Sequence, residues 1–191
     1  MKKQWLRWGV AGAAAMALVF GAMQLARAQE GEKRRIDVSP RAETVQRIGT
    51  SDVKVTYYRP GVKGREIWNT NIVPYGGKPM PWRAGANENT VIAFESDVKI
   101  EGQKLAKGAY GFHIIPTETT WTLIFSKDTA GWGSYRYKPE SDALRVDVTP
   151  TEGAHEEWLR YGFDDLTATS ATAYLAWEKK RVSFKIELDV E

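Results

Sequence analysis

The sequence contains no cysteine among its 191 residues and only two histidines, His113 and His155. The absence of cysteine excludes disulfide bonds, thiol catalysis and a lipid anchor attached through a thiol. A metal site needs three or four converging donors, which two isolated histidines cannot supply without several carboxylates. The Gly-x-Ser-x-Gly elbow, the phosphate-binding loop and the His-Glu-x-x-His helix are also missing. We therefore expect no metal site and no cofactor.

The chain also lacks a strong excess of charge of either sign. It has 27 basic and 24 acidic residues, and four of the basic residues but none of the acidic ones fall within residues 1–28. The remaining chain consequently carries a net charge of −1. The basic character belongs to the first 28 residues, so we expect no nucleic-acid partner.

Residues 1–28 have the pattern of a cleaved export signal. Three basic residues among the first seven precede an uncharged run at residues 9–23, and Ala26-Arg27-Ala28 is a small-x-small cleavage motif. The run is rich in Ala and Gly and short of the ~20 strongly apolar residues of a membrane span. We expect cleavage between Ala28 and Gln29, with no membrane attachment afterwards. The alternative is that the segment is retained as an anchor.

Beyond the signal we expect a flexible segment at residues 29–38 and a single domain at residues 39–191, located in the periplasm or secreted. No window shows sustained helical spacing, whereas apolar and polar residues alternate in many short segments. These segments lie at residues 43–48, 53–58, 89–95, 108–116, 121–128, 143–150 and 171–190. Such a pattern predicts an all-β fold, either an antiparallel β-sandwich or a jelly-roll-like barrel of about ten short strands. The core is expected to include Trp121, Trp158 and Trp177.

Several blocks of the sequence resemble one known family. They are Arg59-Pro60-Gly61-Val62-Lys63-Gly64-Arg65, Val73-Pro74-Tyr75-Gly76, Trp82-Arg83 and Gly85-Ala86-Asn87-Glu88, with later blocks at residues 107–116, 121–128, 132–137 and 176–187. Together they resemble a bacterial family catalogued as domain of unknown function 2911, over about residues 39–190. The resemblance implies an exported, mostly β domain and implies no reaction. Five residues, 77–81, separate Tyr-Gly from Trp-Arg here, where family members usually have one or two.

The long irregular stretch from Gly61 to Ala86 ends in a run that combines Trp82, Arg83, Asn87 and Glu88. Long loops in compact domains are often functional, and guanidinium groups fork onto anions. The candidate ligand-binding residues are Arg59, Arg65, Tyr75, Trp82, Arg83, Asn87, Glu88, Tyr110, His113, Trp132 and Tyr135. The structural alternative is that Arg83 forms an ion pair with Glu88 and that His113 is a hydrogen-bonded wall residue.

The leading functional hypothesis is an exported module that binds a small polar or anionic ligand, with a glycan as one candidate. Aromatic rings of the segment at residues 131–137 would stack on the ligand, and arginine and asparagine would orient it. A second hypothesis is an enzyme, a hydrolase for instance, that uses Glu88 and His113 as acid and base. A third is a structural or assembly protein that binds its partner through an exposed sheet edge. The sequence does not identify a protein partner.

The signal interpretation makes a direct prediction about the secreted product. If the protein is expressed with its own N-terminus in an exporting host, signal peptidase should release a chain that begins at Gln29. Intact-mass measurement and N-terminal sequencing of the fraction outside the cytoplasm check this. Recovery of the uncleaved chain in the membrane fraction would instead support the retained anchor.

Overall fold

The computed structural model describes residues 36–73 and 80–190, and the elements below lie in the unit Asp37–Glu191. The strands are β1 (Arg41–Ile48), β2 (Ser51–Tyr58), β3 (Thr90–Phe94), β4 (Val98–Ile100), β5 (Gln103–Leu105), β6 (Gly108–Pro116), β7 (Trp121–Ser126), β8 (Asp142–Val148), β9 (Thr151–Asp164) and β10 (Ser170–Leu188). A 3-10 turn at Pro139–Ser141 is the only helical element among the described residues. In that part of the chain, no helix has the length and apolar composition that crossing a membrane requires.

The strands form two antiparallel sheets that pack face to face. The six-stranded sheet has the order β1-β2-β3-β6-β7-β8, and the four-stranded sheet has the order β5-β4-β10-β9. The sheets do not close into a barrel. Of the two predicted architectures, the β-sandwich is therefore confirmed and the jelly-roll-like barrel is not formed.

The core lies between the sheets and follows from the alternation of apolar residues along each strand. In β2, Val53, Val55 and Tyr57 are buried while the residues between them are more exposed. Across the interface, the ring of Phe112 in β6 lies 5.7 Å from that of Phe184 in β10, measured between centroids. Along a strand, every second side chain points to the same side of the sheet. The alternating apolar residues of both sheets therefore point into the space between them and pack against each other.

Strand β10 changes which residues face the core along its length. Before Glu178 the inward residues are odd-numbered, as in Leu175 and Trp177, and after it they are even-numbered, as in Phe184 and Ile186. The pairing with β9 is irregular on both sides of Glu178, whose φ is 53°. A β-bulge inserts an extra residue and so shifts the alternation by one, which lets a 19-residue strand keep one apolar side.

Strands β4, β5 and β9 were not identified from the alternation. The first two are three residues each and lie in or beside a turn-rich stretch, and the first half of β9 is exposed on both sides. The prediction that Trp158 is a core residue was wrong, since it is 37% exposed. Its neighbours Leu159 and Tyr161 take the inward positions of β9, so Trp158 faces outward, where the Lys63 ammonium lies 5.4 Å from its ring.

The outer side of the six-stranded sheet is covered locally by the segment at residues 127–141. His113 lies on that side of β6, opposite Phe112 and Ile114, and is buried beneath Ser134 and Tyr137. Gly111 permits the close approach, because a methyl group there would overlap the carbonyl oxygen of Asp128. A glycine at this position therefore determines how closely the aromatic-rich segment sits on the sheet.

Replacing Gly111 by alanine should displace this segment. Overpacking of this kind costs about 1–3 kcal/mol, equivalent to a fall of roughly 2–10 °C in the melting temperature of a domain of this size. The matched control is Gly153→Ala in β9, where the added methyl would make only an ordinary 3.7 Å contact with Arg181. Thermal unfolding of both variants checks the prediction, and an unchanged melting temperature for Gly111→Ala would contradict it.

Candidate functional site

The loop at residues 82–90 carries the candidate site and begins with a backbone clamp. Trp82 donates its N–H to the Ile114 carbonyl at 2.7 Å, and Ile114 donates back to the Trp82 carbonyl at 2.8 Å. Strand β3 starts at Thr90, opposite Phe112, so Trp82 occupies the place that an extended β3 would take beside β6. The residues between them must bulge out of the sheet, and Ala84 and Asn87 have positive φ values of 49° and 55°.

Buried donors hold the inner side of this loop. The Ala84 carbonyl accepts hydrogen bonds from the Tyr161 hydroxyl at 2.8 Å and the Thr90 hydroxyl at 3.2 Å. The Gly85 carbonyl accepts the indole N–H of Trp82 at 3.3 Å. Tyr161 belongs to β9, so both sheets contribute to the position of the loop.

Backbone hydrogen bonds hold the outer side of the loop at residues 82–90 against the segment that contains Trp132. The Asn87 carbonyl accepts the Gly133 N–H at 3.0 Å, and Asn89 donates its N–H to the Gly131 carbonyl at 3.1 Å. The Asn87 side-chain amide donates to the Ser39 carbonyl at 3.4 Å. These contacts order the loop on both sides, which is the preorganisation that a binding site requires.

A cavity of about 400 Å³ opens beside this loop. Its described lining residues are Val38, Ser39, Pro60, Gly61, Lys63, Arg65, Ile72, Trp82, Arg83, Gly85, Ala86, Asn87 and Trp177. Three of them are cationic and none is acidic. A cavity of this size suits a small molecule, and its charge suits an anion.

Arg83 is the partly buried cation of this cavity. Burial lowers the pKa of its guanidinium, while the nearby Tyr135 and Glu88 raise it. The Nε atom is buried and has no hydrogen-bond partner among the described residues. The guanidinium carbon lies 5.5 Å from the centre of the Trp132 ring. A partly buried cation that forms no ion pair is costly unless an anion joins it.

The other two cations reach the cavity from the Gly61–Arg65 turn. The Arg65 guanidinium donates to the Gly61 carbonyl at 2.6 Å and to the Val62 carbonyl at 3.1 Å, which fixes its direction. Lys63 is exposed and lies over the Trp158 ring. Among the described carboxylates, none forms an ion pair with Lys63, Arg65 or Arg83.

Two tryptophans supply the aromatic part of the described lining. The rings of Trp82 and Trp177 stack with centroids 5.9 Å apart and planes 21° apart, and both contact Trp68. Trp68 in turn packs on Trp121, at 5.2 Å. The indole N–H of Trp177 is buried without a partner in the described part of the chain. The cavity therefore combines flat apolar rings with convergent donors.

The structure brings together part of the predicted residue set. Arg65, Trp82, Arg83 and Asn87 line the cavity. Trp132 and Tyr135 adjoin it through Arg83, and their rings stack with centroids 6.0 Å apart and planes 8° apart. Trp132 is 60% and Tyr135 83% exposed, so neither covers the core. Tyr75 lies outside the described residues.

The remaining predicted residues lie elsewhere. Arg59 donates to the Leu159 carbonyl at 2.9 Å, and the Tyr110 hydroxyl donates to the Ala106 carbonyl at 2.7 Å. Glu88 is exposed and forms no ion pair with Arg83; its carboxylate raises the pKa of Tyr58 through a side-chain hydrogen bond. His113 hydrogen-bonds the Ser134 hydroxyl at 3.1 Å.

The chemistry at His113 is separate from the main cavity. His113 lines a space of only about 10 Å³, together with Asn89 and Asp128, and Glu88 lines neither that space nor the main cavity. Beside it, the Tyr137 hydroxyl donates to Asp142 at 2.6 Å. Burial and this hydrogen bond raise the pKa of Tyr137 to about 12. Within the described ranges, no group of three or more His, Asp or Glu side chains is arranged to hold a metal ion.

Several lining residues were not predicted from the sequence, above all Trp177 and Ile72. Trp177 was expected in the core, and it is 1% exposed, yet one edge of it reaches the cavity. Alternation distinguishes the inner side of a strand from the outer one, but it does not show where the core opens to a cavity. The cluster of Lys63, Arg65 and Arg83 was visible as a local excess of positive charge, although Lys63 was left out of the candidate list.

Burial of His113 predicts a dependence of stability on pH. Desolvation lowers its pKa from 6.5 to about 4, partly opposed by Asp142 and Asp128 and assisted by Arg83. The unfolded chain therefore takes up a proton near pH 6.5 that the folded protein accepts only near pH 4. The stabilisation is complete above pH 6.5 and is lost as the pH falls, by about 3 kcal/mol in total.

The measurement is denaturant unfolding at pH 7 and at pH 4.5 for the wild type and for His113→Gln. The variant should lose less stability on acidification than the wild type does, because it no longer takes up this proton. His155→Gln, at an exposed histidine, controls for the removal of an imidazole. An identical pH dependence in the wild type and His113→Gln would show that His113 is not held neutral.

Comparison with known proteins supports a family assignment. No curated protein and no solved structure matches the chain. Residues 39–186 match the family described as "Protein of unknown function (DUF2911)", which confirms the resemblance carried by the Arg-Pro-Gly, Trp-Arg and later blocks. That range includes all but two residues of the ten strands and all but Val38 of the cavity lining. The chain belongs to this family of proteins of unknown function.

Proposed function

We propose that this protein binds a small anionic ligand in the cavity beside residues 82–90. The observation that carries the proposal is the charge of the described lining, in which Lys63, Arg65 and Arg83 have no acidic counterpart. Structural arginines normally pair with carboxylates, whereas these three lie free of described ion pairs around one opening.

Each lining group has a role in such binding. Arg83 and Arg65 provide N–H donors for carboxylate, sulfate or phosphate oxygens, and Lys63 adds a third positive charge to the lining. Trp82 and Trp177 supply apolar faces that limit the access of water and so strengthen these electrostatic contacts.

The proposed setting is the periplasm or the exterior of the cell, after removal of residues 1–28. This rests on the signal pattern of the sequence. Because the chain has no cysteine, it would have to fold there without disulfides. A binding module there would capture its ligand from outside the cytoplasm.

The test is isothermal titration with sulfate, inorganic phosphate and D-galacturonate, and with uncharged D-galactose for comparison. At least one anion should bind, and Arg83→Ala should weaken it by about 10- to 100-fold, because a charge-assisted hydrogen bond contributes about 1.5–3 kcal/mol. The anion affinity of Arg83→Lys should lie between those of the wild type and Arg83→Ala, since lysine keeps the positive charge but lacks the planar guanidinium.

Controls separate binding from folding. Arg47→Ala removes an exposed arginine in β1 that pairs with Asp52, so it should leave anion affinity unchanged. Arg83→Ala should lower the melting temperature only slightly, since its main described contact is the Trp132 ring. If no anion binds, or if Arg83→Ala merely unfolds the domain, the proposed function is wrong.

A further inference from the structure

A second cavity adjoins the first and extends the proposed site. It has a volume of about 170 Å³, and its described lining consists of Asn71, Ile72, Met80, Pro81, Trp82, Arg83, Ser134 and Tyr135. Ile72, Trp82 and Arg83 line both cavities. Arg83 therefore lies where the two cavities meet, and a ligand that occupied both would contact it.

The second cavity differs chemically from the first. Arg83 is its only charged described residue, and Asn71 and Ser134 supply an amide and a hydroxyl. Met80 and Tyr135 supply apolar surface, and they are 57% and 83% exposed. Apart from Arg83, the described lining is therefore uncharged, partly apolar and open to water, whereas the first cavity has three cations in its described lining.

The exposed aromatic pair next to it, Trp132 and Tyr135, lies outside the hydrophobic core. Trp132 and Tyr135 stack on each other, with Arg83 near the Trp132 ring, and neither belongs to the hydrophobic core. Gly133, with a φ of 70°, lies between them, and a methyl group there would come within 3.0 Å of the Tyr135 ring. The backbone is thus shaped around the position of this ring, which is nevertheless left almost fully in water.

From this arrangement we infer that the ligand is an acidic oligosaccharide, with its acidic group in the cationic cavity and a neighbouring sugar ring against Tyr135 in the second one. The inference rests on the proposed function, because it assigns the anion to the same Arg83 site. A sugar ring offers an apolar side to an aromatic ring, while its hydroxyl edge can meet Asn71 and Ser134.

The experiment compares D-galacturonate with its α-1,4-linked trisaccharide in isothermal titrations on the mature protein. The trisaccharide should bind about tenfold more tightly than the monosaccharide, through the added stacking and hydrogen bonds. Tyr135→Ala should remove this gain and weaken the monosaccharide much less than Arg83→Ala does, whereas Arg83→Ala should weaken both sugars. Tyr135→Phe keeps the ring and should retain the gain.

The outcomes distinguish this inference from the function it extends. If the monosaccharide binds through Arg83 but the trisaccharide gains nothing, or gains equally in Tyr135→Ala, the oligosaccharide assignment is wrong and the anion site remains. If 3-phenylpropionate binds more tightly than the trisaccharide, the ligand is an aromatic acid instead. If Arg83→Ala changes neither affinity, both the site and its extension are refuted.

Discussion

The pair of backbone hydrogen bonds between Trp82 and Ile114 is the contact on which the candidate site depends. This contact fixes the end of the long loop to β6. It also places the Trp82 indole against Trp68 and Trp177. The same pinned backbone carries Arg83, so Trp82 and Arg83 both line the cavity beside the loop. The loop then has to bulge before it can enter β3, and the bulge forms one wall of the opening.

Stability and function make different demands on this wall. The fold satisfies the inner carbonyls of the loop with hydroxyls of Tyr161 and Thr90, as expected for buried polar groups. It leaves Arg83 partly desolvated and without an ion pair, although the Glu88 carboxylate is near enough to raise the pKa of Arg83. A domain optimised for stability alone would pair this charge or replace it, and departures of this kind concentrate at functional sites.

His113 illustrates the opposite case, a polar residue that the fold uses in its own packing. The segment at residues 127–141 closes over it, donors and acceptors are available at Ser134, and burial holds it in the neutral form. Its pKa is strongly lowered, but it lines only a space of about 10 Å³. A perturbed pKa without room for a substrate is a feature of packing, so this histidine contributes to stability above pH 6.5 and gives no separate support to acid–base catalysis.

The sequence by itself determined the all-β class, the inward residues of most strands and the family, because alternation and local motifs are properties of neighbouring residues. It also brought Arg65, Trp82, Arg83 and Asn87 into one candidate set, since they lie in one stretch of chain. Only the tertiary structure showed that Arg59, Tyr110, Glu88 and His113 do not line this cavity. It also showed that Trp177, from the C-terminal strand, does line it. A cavity forms where segments distant in sequence fail to fill the space between them, and that space depends on how the two sheets, the loop and the 127–141 segment pack together.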